Sequence, residues 1–148
     1  KIHLLADGKG VLCAALLTAG QRGDATQAIP LILKYKSMKI KTVGRRMPYK
    51  VIADWAYDSQ EFRGFLRLRA IKAVIPERKL KEGAKRRRKG RKPKLNVEIY
   101  AQRNRIERGI GHLKEQRRVA TRYEKMADNF LGMIQLAMIK KYVRMLAA

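Results

Sequence analysis

Four apolar stretches along the chain have the length and the flanking residues of β-strands. Residues 2–5 and 11–17 are two apolar runs joined by the turn-forming residues Asp7–Gly10, a pattern that predicts a β-hairpin. Residues 50–53 (KVIA) form a short apolar run that ends at an acid, and residues 71–75 (IKAVI) form another that stops at a proline. We therefore expect a hairpin first and two further strands later in the chain.

Polar residues that precede apolar segments predict where helices begin. Asp24 can cap a helix over about residues 25–36. Asp58 can cap a second helix, with Glu61 in capping-box position, which would run to about Arg69. The resulting order of strand, strand, helix, strand, helix, strand predicts an α/β fold with a mixed sheet and flanking helices.

The C-terminal half of the chain is predicted to be helical. Asn96 offers a cap for one long helix that runs to about Arg118. Residues 126–146 are apolar on nearly every face, which is typical of a helix buried in the core or against a partner.

The charge balance narrows the class of partner. The chain has 148 residues, enough for one domain, with 36 Lys and Arg against 12 Asp and Glu and a formal net charge of +24. Because such an excess of positive charge repels itself, it favours a polyanion as partner, and nucleic acid is the obvious one. A single cysteine excludes a disulfide framework, the two histidines lack zinc-ligand spacing, and no apolar run is long enough to cross a bilayer.

Residues 78–94 form a basic segment with eleven Lys or Arg and one Glu. Such a segment cannot build a core, so we expect a mobile loop inside the domain. Its last ten residues carry eight positive charges, which favours contact with a nucleic-acid backbone over mere solvation, although such runs also occur in nuclear-localisation signals and ribosomal-protein tails. The candidate DNA-binding residues are Lys85, Arg86, Arg87, Arg88, Lys89, Arg91, Lys92 and Lys94.

One polar row lies on the predicted long helix. At 100° per residue, Tyr100, Arg103, Glu107 and Lys114 share a stripe about 60° wide, directly beside the apolar face. An acid among basic groups at the margin of a core suits metal or phosphate chemistry better than solvation. The other interpretation is that Glu107 only pairs with Arg103 along the helix, a common surface device, and that Tyr100 only packs.

The spacing of this row is also a known signature. Tyr100-x2-Arg103-x3-Glu107-x6-Lys114 matches the Y-x2-R-x3-E-x6-K motif of the IS4/IS5-type DDE transposases. The segments KIHLLADGKG, VIADWAYDS, IERGIGHLKEQRRVATRYEK and NFLGMIQLAMI also resemble the IS5-family core. The resemblance covers nearly the whole chain, which is similar to the C-terminal part of a bacterial insertion-sequence transposase.

The resemblance implies an RNase H-like fold and DNA transposition, in which three carboxylates hold two divalent ions for phosphodiester hydrolysis and strand transfer. Asp54 matches the second acid and Glu107 the third, so both are candidate catalytic residues and metal ligands. Mg²⁺, or Mn²⁺, is the expected ion, because carboxylate oxygens suit a hard cation. Arg103 and Lys114 would grip phosphates, and Tyr100 would stack on or hydrogen-bond to DNA.

The first acid of the family pattern has no match in this chain. Asp7 is a turn residue and Asp24 a helix cap by pattern. We therefore expect a sheet that lacks its first strand, and residues 1–148 as a partial DDE catalytic domain whose first strand and DNA-end-recognition region lie upstream. The chain alone is expected to be inactive and to need an upstream segment, such as one made from another reading frame.

The expected partners are transposon ends and target DNA, with a homo-oligomer on the DNA and no membrane, in the bacterial cytoplasm at the nucleoid. The alternative function is a non-catalytic basic nucleic-acid-binding protein, and a third is another RNase H-like nuclease. Trp55, beside Asp54, is either a core residue or one that stacks on a base, and the pattern does not separate the two.

Overall fold

The computed structural model describes residues 1–37, 47–77 and 94–147. In chain order the elements are β1 (Ile2–Ala6), β2 (Leu12–Leu17), α1 (Ala28–Ser37), β3 (Lys50–Ile52), α2 (Gln60–Leu68), β4 (Lys72–Val74), α3 (Val97–Ala101), α4 (Asn104–Lys114), α5 (Arg117–Ala120) and α6 (Ala127–Leu146). Two 3₁₀ turns, Asp24–Gln27 and Trp55–Tyr57, precede α1 and α2. The predicted α/β class is confirmed.

β1 and β2 form the predicted hairpin. The two strands pair antiparallel, and the side chain of Asp7 holds the turn, because its Oδ1 accepts the backbone N–H of Lys9 at 2.8 Å and that of Val11 at 2.9 Å. Gly10 has a φ of +86°, which a residue without a Cβ adopts without steric cost. Asp7 is therefore the turn residue that its place in the sequence predicts.

The strands form two separate sheets, so the prediction of a single mixed sheet is wrong for the described residues. β3 and β4 pair parallel, with Val51 opposite Ala73, and β1 and β2 make the second sheet. Strand-forming patterns predict where strands occur, but a continuous sheet also needs a strand between β1 and β3. No described strand lies there.

Each sheet rests on its own hydrophobic cluster. The cluster under β3 and β4 is built mainly from α1 and α2, with Ile32, Phe62 and Leu66 at its centre. The other cluster packs the hairpin against α4, α5 and α6. Its buried members are Leu12, Ala15, Leu113, Val119, Phe130 and Ile134.

Only the first half of α6 is buried by the described residues. Phe130 and Ile134 are 7% and 0% exposed, whereas Leu136, Ile139 and Val143 are each more than half exposed. The prediction of burial in the core therefore holds for the N-terminal half of the helix alone. No helix in the described ranges is both long and apolar enough to cross a membrane.

Both acids predicted to cap helices have other partners. Asp24 lies inside the first 3₁₀ turn and pairs with the Nζ of Lys1 at 3.2 Å. Ser59, not Asp58, caps α2 through a 3.1 Å hydrogen bond from a backbone N–H in the first turn. Asp58 instead accepts from the Nε of Arg63 at 2.7 Å. In each case a nearby cation engages the carboxylate.

The predicted long helix over residues 96–118 is divided into α3, α4 and α5. At the first junction the N–H of Gln102 bonds the carbonyl of Ile99, and the N–H of Arg105 bonds that of Gln102. These three-residue bonds make a tighter 3₁₀-like turn. Gln116, with ψ of 105°, makes the second break. Apolar residues keep their spacing across the first junction, from Ile99 to Ile106, so periodicity alone does not predict that break.

A buried polar network joins the hairpin to the 3₁₀ turn at Trp55–Tyr57. His3 is 2% exposed. Its Nε2 lies 2.8 Å from the Oγ1 of Thr18, and its Nδ1 lies 3.2 Å from the hydroxyl of Tyr57. Burial lowers the pKa of His3 below its ordinary value of 6.5, and burial raises the pKa of Tyr57 to about 12. The network therefore favours a neutral imidazole.

Because the imidazole of His3 is neutral in the folded protein, we expect the fold to lose stability in mild acid. Because the folded-state pKa of His3 is lower than that of the unfolded chain, about 6.5, the unfolded chain binds more protons between the two values. Stability contributed by His3 is thus present above pH of about 6.5 and is lost as pH falls toward the folded-state pKa. Thermal unfolding of wild type should show this loss, and His3→Gln should weaken it. The exposed His112 supplies the control, and His112→Gln should keep the wild-type dependence. Equal acid sensitivity of wild type and His3→Gln would contradict the assignment.

Candidate functional site

Asp54 lies where β3 ends. The N–H of Ala53 extends the ladder between β3 and β4 by a 3.3 Å bond to the carbonyl of Val74. Asp54 then caps the 3₁₀ turn, because its Oδ1 accepts the backbone N–H of Trp55 at 2.7 Å. That bond orients the carboxylate and leaves Oδ2 for a second partner.

The second partner comes from the junction between α3 and α4. The guanidinium of Arg103 reaches Oδ2 of Asp54 at 3.5 Å through Nη1 and Oε1 of Glu107 at 2.7 Å through Nη2. Glu107 belongs to the first turn of α4, where the helix dipole favours an acid. The simple intrahelical pair of Arg103 with Glu107 is therefore present, and the same guanidinium also draws in Asp54. Two carboxylates from distant parts of the chain converge on one cation.

Tyr100 and Lys114, the other two members of the polar row, lie at different distances from Asp54, Arg103 and Glu107. The ring centroid of Tyr100, in α3, is 5.6 Å from the guanidinium carbon of Arg103. Lys114 ends α4 with an exposed side chain, on the side of the helix that carries Glu107 and about 10 Å further along. The structure thus brings Tyr100 to Arg103 and leaves Lys114 apart.

Almost all of the basic residues predicted to bind DNA lie outside the described residues. Those at positions 85–92 lie in the gap between residues 77 and 94, as does the predicted mobile loop. Lys94 opens the last described range, and its side chain is exposed. Trp55, beside Asp54, is 49% exposed in the described part of the chain. It is therefore not a core residue there.

Two contacts that position the junction have no signal in the sequence. The Nζ of Lys50 in β3 lies 3.5 Å from the Oε1 of Gln102, and the guanidinium of Arg105 donates to the carbonyl of Gly8 in the hairpin turn. One contact ties the junction to the β3–β4 sheet and the other ties it to the hairpin. Together they hold Arg103 between the two sheets.

A cavity of about 580 Å³ separates the sheets, and Asp54, Arg103 and Glu107 line part of it. The rest of the lining is mostly apolar and comes from β1, β3, α1 and α4. In the described part of the chain, no group of three or more His, Cys, Asp or Glu side chains is arranged to hold a metal ion. The site therefore offers two carboxylates and one guanidinium beside an apolar cavity.

The position of Glu107 depends on how closely α4 approaches the hairpin. A Cβ on Gly109 would lie 3.0 Å from Cδ2 and 3.3 Å from Cγ of Leu12, and 3.6 Å from the carbonyl of Gly10. Leu12 is itself buried in the cluster between the hairpin and α6. Gly109 therefore allows α4 to lie directly on the hairpin.

Two glycines of α4 give a matched test of this close packing. Gly109→Ala should lower the free energy of unfolding by about 1 kcal/mol, because overpacking a core costs about 1–3 kcal/mol and the gain in helix propensity is only about 1 kcal/mol. Gly111 faces open space, so Gly111→Ala should raise stability by about 0.5–1 kcal/mol. Urea unfolding measures both. Equal stabilisation by the two substitutions would show that α4 does not rest on Leu12.

The chain is similar to known transposases along nearly all of its length. The family model described as a transposase DDE domain matches residues 1–139. A protein of Brucella ovis named as a transposase for insertion sequence element IS6501 is 31% identical over 148 residues, which cover 97% of this chain and 98% of that protein. A protein of Burkholderia cepacia named as a transposase for insertion sequence element IS402 is 31% identical over 129 residues, which cover 86% of this chain and 55% of that protein. No solved structure matches the chain.

These matches confirm the resemblance to insertion-sequence transposases, while the narrower IS5 type stays a prediction. The chain spans nearly the whole of the Brucella relative and about half of the Burkholderia one. Since the family model extends over almost the entire sequence, the chain belongs to the DDE transposases of insertion sequences.

Proposed function

We propose that this DNA transposase hydrolyses DNA phosphodiester bonds and transfers the resulting 3′-hydroxyl end, at a site built on Asp54 and Glu107. The observation that carries the proposal is the convergence of these two acids on Arg103, at 3.5 and 2.7 Å. Two carboxylates from different elements that contact the same guanidinium would hold a divalent cation in its place. Phosphoryl transfer in a two-metal site needs that arrangement.

The donor atoms of this pair fit a divalent metal. Both side chains offer carboxylate oxygens, which Mg²⁺ and Mn²⁺ prefer as ligands. The N–H of Trp55 engages Oδ1 of Asp54, and Arg103 contacts Oδ2. An ion held by Asp54 and Glu107 would therefore take the place of the guanidinium at Oδ2. A bound metal pair supplies charge stabilisation to the attacking and leaving oxygens of the phosphate.

Arg103 would serve both the acids and the DNA. Its guanidinium neutralises two carboxylates that would otherwise repel each other, and the ring of Tyr100 lies 5.6 Å from it as a support. A planar guanidinium also suits the paired oxygens of a phosphate, so Arg103 would bind the backbone beside the reacting bond. Lys114, further along α4, would contact a more distant phosphate as a point charge.

The cavity beside Asp54 and Glu107 lies between two strand edges, as a position for a further β-strand would. Ile2 and Leu4 of β1 line one part of it, and Val51 and Ala53, in and just after β3, line another. Among the described strands, β1 pairs only with β2 and β3 only with β4. Each of the two strands therefore has one edge to which a further strand can hydrogen-bond.

The walls of the cavity define the chemistry of such a strand. Leu31 and Ile32 of α1 and Ile106 and Ile110 of α4 all line it. A strand with apolar helices against it is itself apolar, as in sheets covered on both faces. We infer that an upstream segment of the transposase, from the same or another reading frame, fills this position. It would join the sheets into one RNase H-like sheet and supply the third acid.

The alternative function, a non-catalytic basic nucleic-acid-binding protein, is not favoured. A net charge of +24 accounts for nucleic-acid binding but not for a match to the transposase DDE domain over residues 1–139. The proposed substrates are transposon ends and target DNA. Such work would take place at the nucleoid in the bacterial cytoplasm, with a homo-oligomer holding the ends together.

Amide substitutions of the two acids test the catalytic assignment. In the transposase assembled with its upstream segment, Asp54→Asn and Glu107→Gln should each slow Mg²⁺-dependent strand cleavage and joining by roughly 100-fold or more, since each removes charge that the transition state requires. DNA affinity, measured by titration, should stay equal or rise, because loss of an acid does not weaken phosphate attraction.

The control for these variants is Glu61→Gln, which removes an exposed acid from the first turn of α2 and does not line the cavity. It should cleave at the wild-type rate. Full cleavage by both the Asp54 and the Glu107 variants would show that the reaction depends on other residues.

The strand position has its own test, because Ile110 lines the cavity and belongs to neither hydrophobic cluster. Ile110→Glu should therefore spare the fold yet weaken binding of the upstream segment roughly tenfold or more, since it brings a charge into an apolar wall. Leu68, which is 85% exposed on α2, gives the matched control Leu68→Glu. Binding is measured by titrating the upstream segment against the chain. Equal binding by the two variants would rule out the cavity as the place of attachment.

A further inference from the structure

A second, smaller pocket lies on the other side of α4 and is strongly basic. Its volume is about 190 Å³. Three elements form it: the turn of the hairpin, α4 and the C-terminal half of α6. The basic side chains that line it are Lys9, Arg105, Arg108, His112 and Lys141. Among the residues that the structure describes, no acid lines this pocket.

Arg108 and His112 of α4 line only this pocket, whereas Arg105 lines both this pocket and the larger cavity beside the carboxylate site. Relative to Glu107, and at 100° per residue, Arg108 lies about 100° around the helix, His112 about 140° and Arg105 about 160°. Arg103 and Lys114 lie within about 40° of Glu107 on the same measure. The helix therefore presents two different polar faces, one with the acid row and one that is basic, separated by its apolar face on one side.

The charges in this pocket are largely unbalanced. Arg105 donates to the carbonyl of Gly8, which fixes its guanidinium without neutralising it. His112 lies 3.1 Å from the exposed carboxylate of Glu115. Lys9, Arg108 and Lys141 make no ion pair with any described residue. Like charges held this close together repel one another, and a bound anion relieves that repulsion.

We infer that this pocket binds a phosphate of the DNA backbone, as a contact separate from the one at the carboxylate site. The inference rests on the proposed function for the identity of the polyanion. Guanidinium and ammonium groups are the usual phosphate partners, and basic residues make up five of the seven residues that line the pocket, beside Gly10 and Met145. Since α4 with its side chains is about 10–12 Å across, the two faces contact different phosphates. The pocket therefore adds affinity and orientation without adding sequence specificity.

Removal of two of the unbalanced charges tests the inference. The double variant Arg108→Ala/Lys141→Ala is titrated with a short DNA duplex of arbitrary sequence at a series of salt concentrations, with EDTA present. Loss of one phosphate contact lowers the slope of log K against log salt by about 0.9, and we expect affinity at the lowest salt to fall roughly tenfold. The conservative pair Arg108→Lys/Lys141→Arg should keep the wild-type slope.

General loss of charge is controlled by a second double variant. Arg67→Ala/Lys72→Ala likewise removes one Arg and one Lys, from exposed positions on α2 and β4. The slope of log K against log salt should change by clearly less in this variant than in the pocket variant. Equal changes in the two double variants, or no change in either, would overturn the pocket as a phosphate site. Because EDTA removes divalent metal, the result does not depend on whether Asp54 and Glu107 catalyse cleavage.

Discussion

The contact of one guanidinium with two acids connects the two sheets of this molecule. Asp54 lies just after strand β3 of one sheet. Glu107 lies in the first turn of helix α4, which packs on the hairpin sheet. Arg103, at 3.5 and 2.7 Å from their oxygens, links the two halves. The chain has a net charge of +24, so two acids that lie close together are an unusual concentration of negative charge in it. The position of this acid pair between the two sheets is the reason why we propose it as the place of a metal-dependent reaction on DNA.

Helix α4 connects this centre to the rest of the fold through three faces. One face carries Glu107, one packs on the hairpin through Gly109 and Leu113, and one carries the basic side chains of the smaller pocket. Because the helix is rigid and closely packed, its contact with the hairpin sets the positions of both polar faces at once. The proposed catalytic acids and the proposed phosphate pocket would thereby be held at a constant spacing, which suits an enzyme that must place a long polymer over its reacting groups.

Short-range patterns predicted the elements well and their assembly poorly. The turn at Asp7 was predictable, because the side chain bonds backbone within four residues of itself. The break before α4 was not, because apolar spacing continues across Gln102 while the bonds that tighten the turn come from local backbone geometry. The buried contact of His3 with Tyr57 joins residues far apart in sequence, and no periodicity relates them. The resemblance to a transposase family suggested Asp54 and Glu107 as a candidate pair, but only the fold shows that Arg103 contacts both.

Paramagnetic broadening by Mn²⁺ tests the central claim most directly, because it reports which backbone amides lie beside a bound ion. The NMR signals of Trp55, next to one acid, and of Arg108, next to the other, should broaden together along one titration curve. Glu107→Gln should abolish the effect at both positions. Broadening at one position alone, or broadening at Trp55 that survives this substitution, would show that the two acids do not share a metal.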